Sequence, residues 1–127
     1  MHDRALYEYA VVRLVPRIER EEFINIGVLF YCRKQRYAAL LYHLDEQRCR
    51  CLSNDLDISQ ITGHLDSIQA ICDGLPEGGD LARLDQTERF RWLTANRSTL
   101  IQCSAVHPGL CEDAETTHRE LFDRLVL

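Results

Sequence analysis

Three extended, apolar-rich runs in the first third of the chain, joined by short charged links, constrain the fold more than any other feature. Residues 6–15, LYEYAVVRLV, are rich in aromatic and β-branched side chains and stop at Pro16. Residues 17–22, RIEREE, form a charged connector. Residues 23–32, FINIGVLFYC, read as a second strand, with Ile24, Ile26, Val28, Phe30 and Cys32 on one continuous apolar face. A short polar turn, Cys32 to Arg36, leads to a third strand over residues 37–44. Strands so closely linked favour an antiparallel meander over a parallel sheet, which needs long crossovers.

The period then changes. Ile58, Ile61, Leu65, Ile68 and Cys72 fall on one face of a helix over residues 57–73, with Asp57 as N-cap and Gly74 as the stop. Residues 75–84, around Pro76-Glu77-Gly78-Gly79, read as the one flexible loop. A short helix over 86–93 turns Phe90 and Leu93 inward. A fourth strand covers 99–106 and is closed by His107-Pro108-Gly109. A last helix over 113–126 carries His118, Leu121, Phe122 and Leu125 on one stripe. The order β-β-β-α-(α)-β-α predicts a single α+β domain over residues 1–127, a mostly antiparallel sheet of about four strands covered by helices. A chain of 127 residues buries roughly two thirds of its unfolded surface, enough for a core without staples.

The six cysteines, Cys32, Cys49, Cys51, Cys72, Cys103 and Cys111, form no CxxC pair and no Cys-His cluster at ligand spacing. With no secretory leader in view they read as reduced thiols, and neither a metal nor another cofactor is expected. The run from Phe23 to Cys32 is too short to span a bilayer, so a cytoplasmic protein off the membrane is expected. A net charge of −5 disfavours nucleic acid as partner. The fourteen arginines against one lysine, Lys34, suit carboxylate and phosphate pairing.

Two polar clusters interrupt the pattern. Arg13 and Asn25 break apolar strands, with Glu22 and Gly27 close by. Asn costs strand propensity, and Gly in a strand marks a bulge or a close backbone approach. Two readings stand: a small site with Arg13 on an anion and Asn25 hydrogen-bonding, or Arg13 paired with Glu22 and Asn25 bonded to backbone. The second cluster is Arg89, Arg91, Trp92, Asn96, Arg97, Ser98 and Thr99. It suits a phosphate or carboxylate partner, or else is a solvated helix face with Trp92 in the core and Glu88 pairing the arginines. No P-loop, GxGxxG fingerprint, GxSxG elbow or kinase loop occurs. The histidines make no HxxxH pattern.

The run Tyr9 to Pro16, then Arg20-Glu21-Glu22-Phe23-Ile24-Asn25-Ile26-Gly27-Val28-Leu29, resembles a bacterial family catalogued as domain of unknown function 3037. Asp55, the stretch Asn96 to Ser104 and the C-terminal Leu121 to Val126 fit the same pattern. Where that family carries a glycine before the glutamate of its Arg-Gly-Glu-Phe turn, this chain has Glu21, so a turn of different geometry is expected. The resemblance implies no chemistry. It implies a context, since members are commonly encoded beside a HipA-like serine/threonine kinase in a toxin-antitoxin-like setting. A non-enzymatic accessory of such a kinase is therefore the first expectation, and self-association stays open. The alternative is a small enzyme or anion-binding module drawing on Arg13, Glu22, Asn25, Gly27, Arg97, Ser98 and Gln102, with Glu22 as acid or base. The third is a nucleic-acid binder built on Arg83, Arg89, Arg91 and Arg97 around Trp92.

Overall fold

Ten consecutive residues rich in aromatic and β-branched side chains make β1 (Ala5–Leu14) the strand on which the others assemble. The computed structural model describes residues 4–95 and 100–127. One flank of β1 pairs antiparallel with β2 (Ile24–Cys32), which pairs in turn with β3 (Tyr37–Tyr42). The other flank carries two short strands end to end: β4 (Ile101–Cys103) along Val12–Leu14, and β5 (His107–Cys111) along Ala5–Tyr9. The helices are α1 (Glu46–Leu52), α2 (Ile58–Cys72), α3 (Gln86–Ala95) and α4 (Ala114–Leu125). The molecule is an α+β protein with an antiparallel sheet, as the sequence implies.

The sheet is buried on both faces. One face packs Val12, Leu14, Leu29 and Tyr31 against Cys49 of α1, Ile61 and Leu65 of α2, and Phe90 and Leu93 of α3. The other packs Ala5, Val28, Phe30 and Cys32 against α4 through Ala114, Leu121 and Phe122. Phe30 is fully buried there, stacked on Tyr7 and on the His118 ring. Burying one such side chain stabilises by roughly 1.5–3 kcal/mol.

The helix ends follow the sequence signals. The Asp57 carboxylate accepts from Gln60 N–H at 3.3 Å. At the other end Gly74, at φ +69°, sends its N–H to the Ile71 carbonyl, and Leu75 sends its own to Ala70. These two bonds form a Schellman cap, for which glycine is the usual residue.

Four expectations are corrected. The five residues Ile24, Ile26, Val28, Phe30 and Cys32 do not share a face. The β1–β2 register passes from Val12↔Gly27 to Arg13↔Asn25, so Ile26 is one residue too many and the strand bulges. The bulge flips the phase: Ile24 and Ile26 join the three-helix face, while Val28, Phe30 and Cys32 face α4. Second, the stretch 99–106 is not one strand, and 107–109 is not a closing turn. The ladder breaks at Ser104, whose Oγ accepts from Val11 N–H at 2.8 Å while its own N–H donates to the Val11 carbonyl. Pairing then resumes as β5, an edge strand among the described residues, where Pro108 is tolerated. Third, α1 was not legible; Asp45 caps it and Cys49 anchors it in the core. Fourth, residues 76–83 form 3-10 turns interrupted at Gly79 and pack Ala82 into the interior in place of a flexible loop.

Candidate functional site

The bulge in β2 brings three residues of the sequence-derived candidate set into one row. Asn25 on β2, Arg13 on β1 and Gln102 on β4 are directly opposite one another and therefore point to the same face. Over that row lies the C-terminal end of α4. Asn25 Nδ2 donates to the Leu125 carbonyl at 3.2 Å. The Arg13 guanidinium lies 4.2 Å from the centre of the Phe23 ring. Two polar atoms here are buried without a hydrogen-bond partner, Arg13 Nε and Asn25 Oδ1. Gly27 adjoins the row, and a Cβ built on it would lie 2.8 Å from the Leu41 carbonyl oxygen. A bulge and a close backbone approach thus coincide at this glycine.

Glu22 does not join the row. It pairs with Arg20, not with Arg13. Together with Pro16 and Arg17 this pair lines a polar cavity of about 360 Å³, closed on the far side by Asn54 and Asp55 of the α1–α2 connection. The turn that carries it contains Glu21 at φ +55°, ψ +25°, the left-handed conformation that glycine adopts most readily. The glutamate therefore sits in a glycine-type turn. Arg97 and Ser98, with Asn96 and Thr99, lie outside the described residues.

The second cluster comes apart. Arg89 donates to the Leu84 carbonyl at 2.6 Å, and Arg91 makes a two-pronged pair with Glu8 at 2.7 and 2.8 Å, not with Glu88. Trp92 is partly exposed, not in the core. Arg83 approaches Asp80 only at 3.9 Å. These arginines do not form one face around the indole.

A larger feature lies at the opposite end of β1. A groove of about 1130 Å³ runs between the β2–β3 turn and the start of α3, with Leu6, Glu8 and Tyr31 in its floor. Its rim holds Arg4, Arg33, Lys34 and Arg36, and Arg91 lies along its α3 side. Among the described residues no carboxylate pairs with Arg4, Arg33 or Arg36. Among the described residues the carboxylates in the lining are already engaged: Glu8 holds Arg91, and Asp85 caps α3 by accepting from Glu88 N–H at 2.8 Å. Three ties fix the groove's shape. Gln86 Nε2 donates to the Arg36 carbonyl at 3.1 Å, the Tyr31 and Thr87 hydroxyls are bonded, and Glu8 and Arg91 are paired. Leu6 in the floor is 60% exposed; Leu110, directly opposite on β5, is 59% exposed and extends the apolar strip.

The family-model comparison matches residues 9–126 to the family described as Protein of unknown function (DUF3037). The chain belongs to this family. No curated protein and no solved structure matches it. The DUF3037 match takes in the whole Asn25–Arg13–Gln102 row and the bulge. It begins at Tyr9, so Arg4, Leu6 and Glu8 of the groove precede the matched stretch.

Several other ionisable groups of this DUF3037 chain are held neutral by burial. His118 is fully buried on α4, between two partners. Its Nε2 meets the Val28 carbonyl at 2.8 Å, and its Nδ1 meets the Tyr37 hydroxyl at 2.7 Å. A carbonyl only accepts, so Nε2 carries the proton, Nδ1 accepts, and Tyr37 donates. Burial pushes His118 down to about 4 and, on the other side of the bond, lifts Tyr37 to about 12. Burial likewise raises the Cys72 thiol to about 12 and the Cys103 and Cys111 thiols to about 11, which leaves them protonated and weakly nucleophilic. Among the described residues no group of three or more His, Cys, Asp or Glu side chains can hold a metal ion. No helix among them is long and apolar enough to cross a membrane.

The groove was missed at the sequence level. The signal for half of it was present, since the turn Arg33-Lys34-Gln35-Arg36 puts three cations in four residues. Its other half depends on Arg4 and Arg91 arriving from segments far apart in the chain.

Proposed function

We propose that this DUF3037 protein is a binding module for a separately encoded protein, and that a HipA-like serine/threonine kinase is the partner to test first. The observation that carries the reading is the cross-strand pair Leu6 and Leu110, whose side chains stand about 60% exposed beside a preformed groove. Contiguous apolar surface of this kind is costly to leave in water and is characteristic of docking sites. The choice of kinase rests on the family resemblance. An accessory role supplies a use for a rigid groove without asking the buried thiols or His118 to react. Co-expression with the neighbouring kinase followed by size-exclusion chromatography tests it. A single shared peak is expected, and two separate peaks at micromolar concentration reject it.

A second reading, an anion-binding module, is favoured by one observation: Arg13 Nε and Asn25 Oδ1 are buried and unpartnered. Titration with small carboxylates and phosphate, followed by NMR of the Arg13 and Asn25 side chains, separates the two. Saturable shifts confined to this row support the second reading, and their absence removes it.

A further inference from the structure

We infer that the groove at the N-terminal end of β1 is a docking site for an acidic segment of a partner protein that carries apolar side chains between its carboxylates. This rests on the binding-module reading and names the chemistry of its partner. The argument starts from charge. The whole chain carries a net charge of −5, yet the groove gathers Arg4, Arg33 and Arg36 on its rim. In an acidic protein such a local surplus repels basic partners and attracts acidic ones, so it selects by sign as well as by strength. Among the described residues no carboxylate pairs with Arg4, Arg33 or Arg36, because Glu8 is spent on Arg91 and Asp85 on the first turn of α3.

The second strand of the argument is the floor. Leu6 and Leu110 are aliphatic, exposed and adjacent to the cationic rim. A nucleic acid presents phosphates and aromatic faces and gains most from stacking platforms and a broadly basic surface. The one aromatic side chain in the groove lining, Tyr31, is buried under it with its hydroxyl bonded to Thr87. An aliphatic strip flanked by arginines suits a peptide whose leucines or similar side chains lie on Leu6 and Leu110 while its carboxylates meet the planar guanidinium forks. The third element is rigidity. Gln86 to the Arg36 carbonyl, Tyr31 to Thr87 and Glu8 to Arg91 hold the walls in place, so little order has to be created on binding.

The test uses the full chain and labelled synthetic peptides in fluorescence anisotropy. One peptide alternates glutamate with leucine, a second replaces the leucines by serine, a third replaces the glutamates by lysine, and a DNA duplex serves as the nucleic-acid probe. The glutamate–leucine peptide is expected to bind at least about tenfold more tightly than any other probe. Raising the salt concentration should weaken it. Arg33→Glu with Arg36→Glu, and separately Leu6→Asp, should each weaken it by about tenfold or more, while Arg33→Lys with Arg36→Lys retains most of the binding. These positions are exposed, and circular dichroism confirms that the variants fold. No binding of the glutamate–leucine peptide, equal binding of the serine peptide, or tighter binding of DNA overturns the inference. The partner arm separates the two levels. A kinase that co-elutes equally with the wild-type and the Arg33→Glu, Arg36→Glu chains overturns the groove and leaves the module reading standing. A kinase that never co-elutes overturns its choice as partner, and the peptide titration still decides the groove.

Discussion

The two ends of β1 use arginine in opposite ways. At the C-terminal end Arg13 is drawn into a closed row, against the Phe23 ring and between Gln102 and an Asn25 that is bonded to the last turn of α4. At the N-terminal end Arg4, Arg33 and Arg36 stand on the rim of an open groove over exposed leucines. The residue type is the same, and what differs is the cover. An aromatic ring face attracts and immobilises a cation. A two-residue apolar strip with no helix over it leaves cations hydrated and available. The closed end contributes to stability, whereas the open end offers a surface.

The comparison can be broken most forcefully at Gly27, which supports the closed end. Gly27→Val places a side chain against the Leu41 carbonyl and should destabilise the protein by about 3 kcal/mol in chemical denaturation. An unchanged midpoint would show that the bulge adapts and that the closed end is not rigid.

A nearly equal effect is expected from pH, through the helix that forms the cover. His118 titrates near 4 in the folded protein, below its ordinary value of about 6.5, because it is buried. The unfolded chain takes up the proton first as pH falls. Stability is therefore complete above about pH 6.5 and declines between there and pH 4, by at most about 3 kcal/mol. Urea midpoints measured across that window check it. In His118→Gln the part of the slope due to this ring should vanish, and an unchanged slope would assign the pH dependence elsewhere.

Third comes the contrast itself. Arg13→Met keeps the stem and removes the charge over the Phe23 ring, and should cost about 1–2 kcal/mol. Arg33→Glu with Arg36→Glu at the open end should change stability by about 0.5 kcal/mol or less. Equal costs at the two ends would erase the distinction. The smallest effect concerns the turn beside the closed end. Glu21→Gly should stabilise by about 0.5–1 kcal/mol, since Glu21 holds a left-handed backbone at φ +55°. A loss of stability there would mean that the glutamate side chain, and not the backbone, sets the turn.

Much of the fold was legible because the information was local. The strands over 6–15 and 23–32, the helix capped by Asp57 and stopped by Gly74, and the apolar stripe of α4 all follow from neighbouring residues. Of the candidate site, the interruptions at Arg13, Asn25 and Gly27 were visible as residue types that a strand tolerates poorly. The pairing of Glu22 with Arg20 was not, because two partners were within reach and only the turn at Glu21 chooses between them. The α1 helix was hidden because seven residues with one buried anchor carry too little period to read.

The amino-acid sequence by itself determined the first three strands, the helix α2 with both of its caps, the apolar stripe of α4, and membership of a family over residues 9–126. These depend on side-chain periodicity and capping chemistry, which act over a few residues. Only the tertiary structure decided the phase of β2, the split of the last sheet segment at Ser104, and which arginines are covered. Each of those depends on pairing between segments far apart in the chain: Val11 with Ser104, Asn25 with Leu125, and Arg91 with Glu8. The free energy of such contacts exists only once the whole sheet is assembled, so no local pattern can encode it.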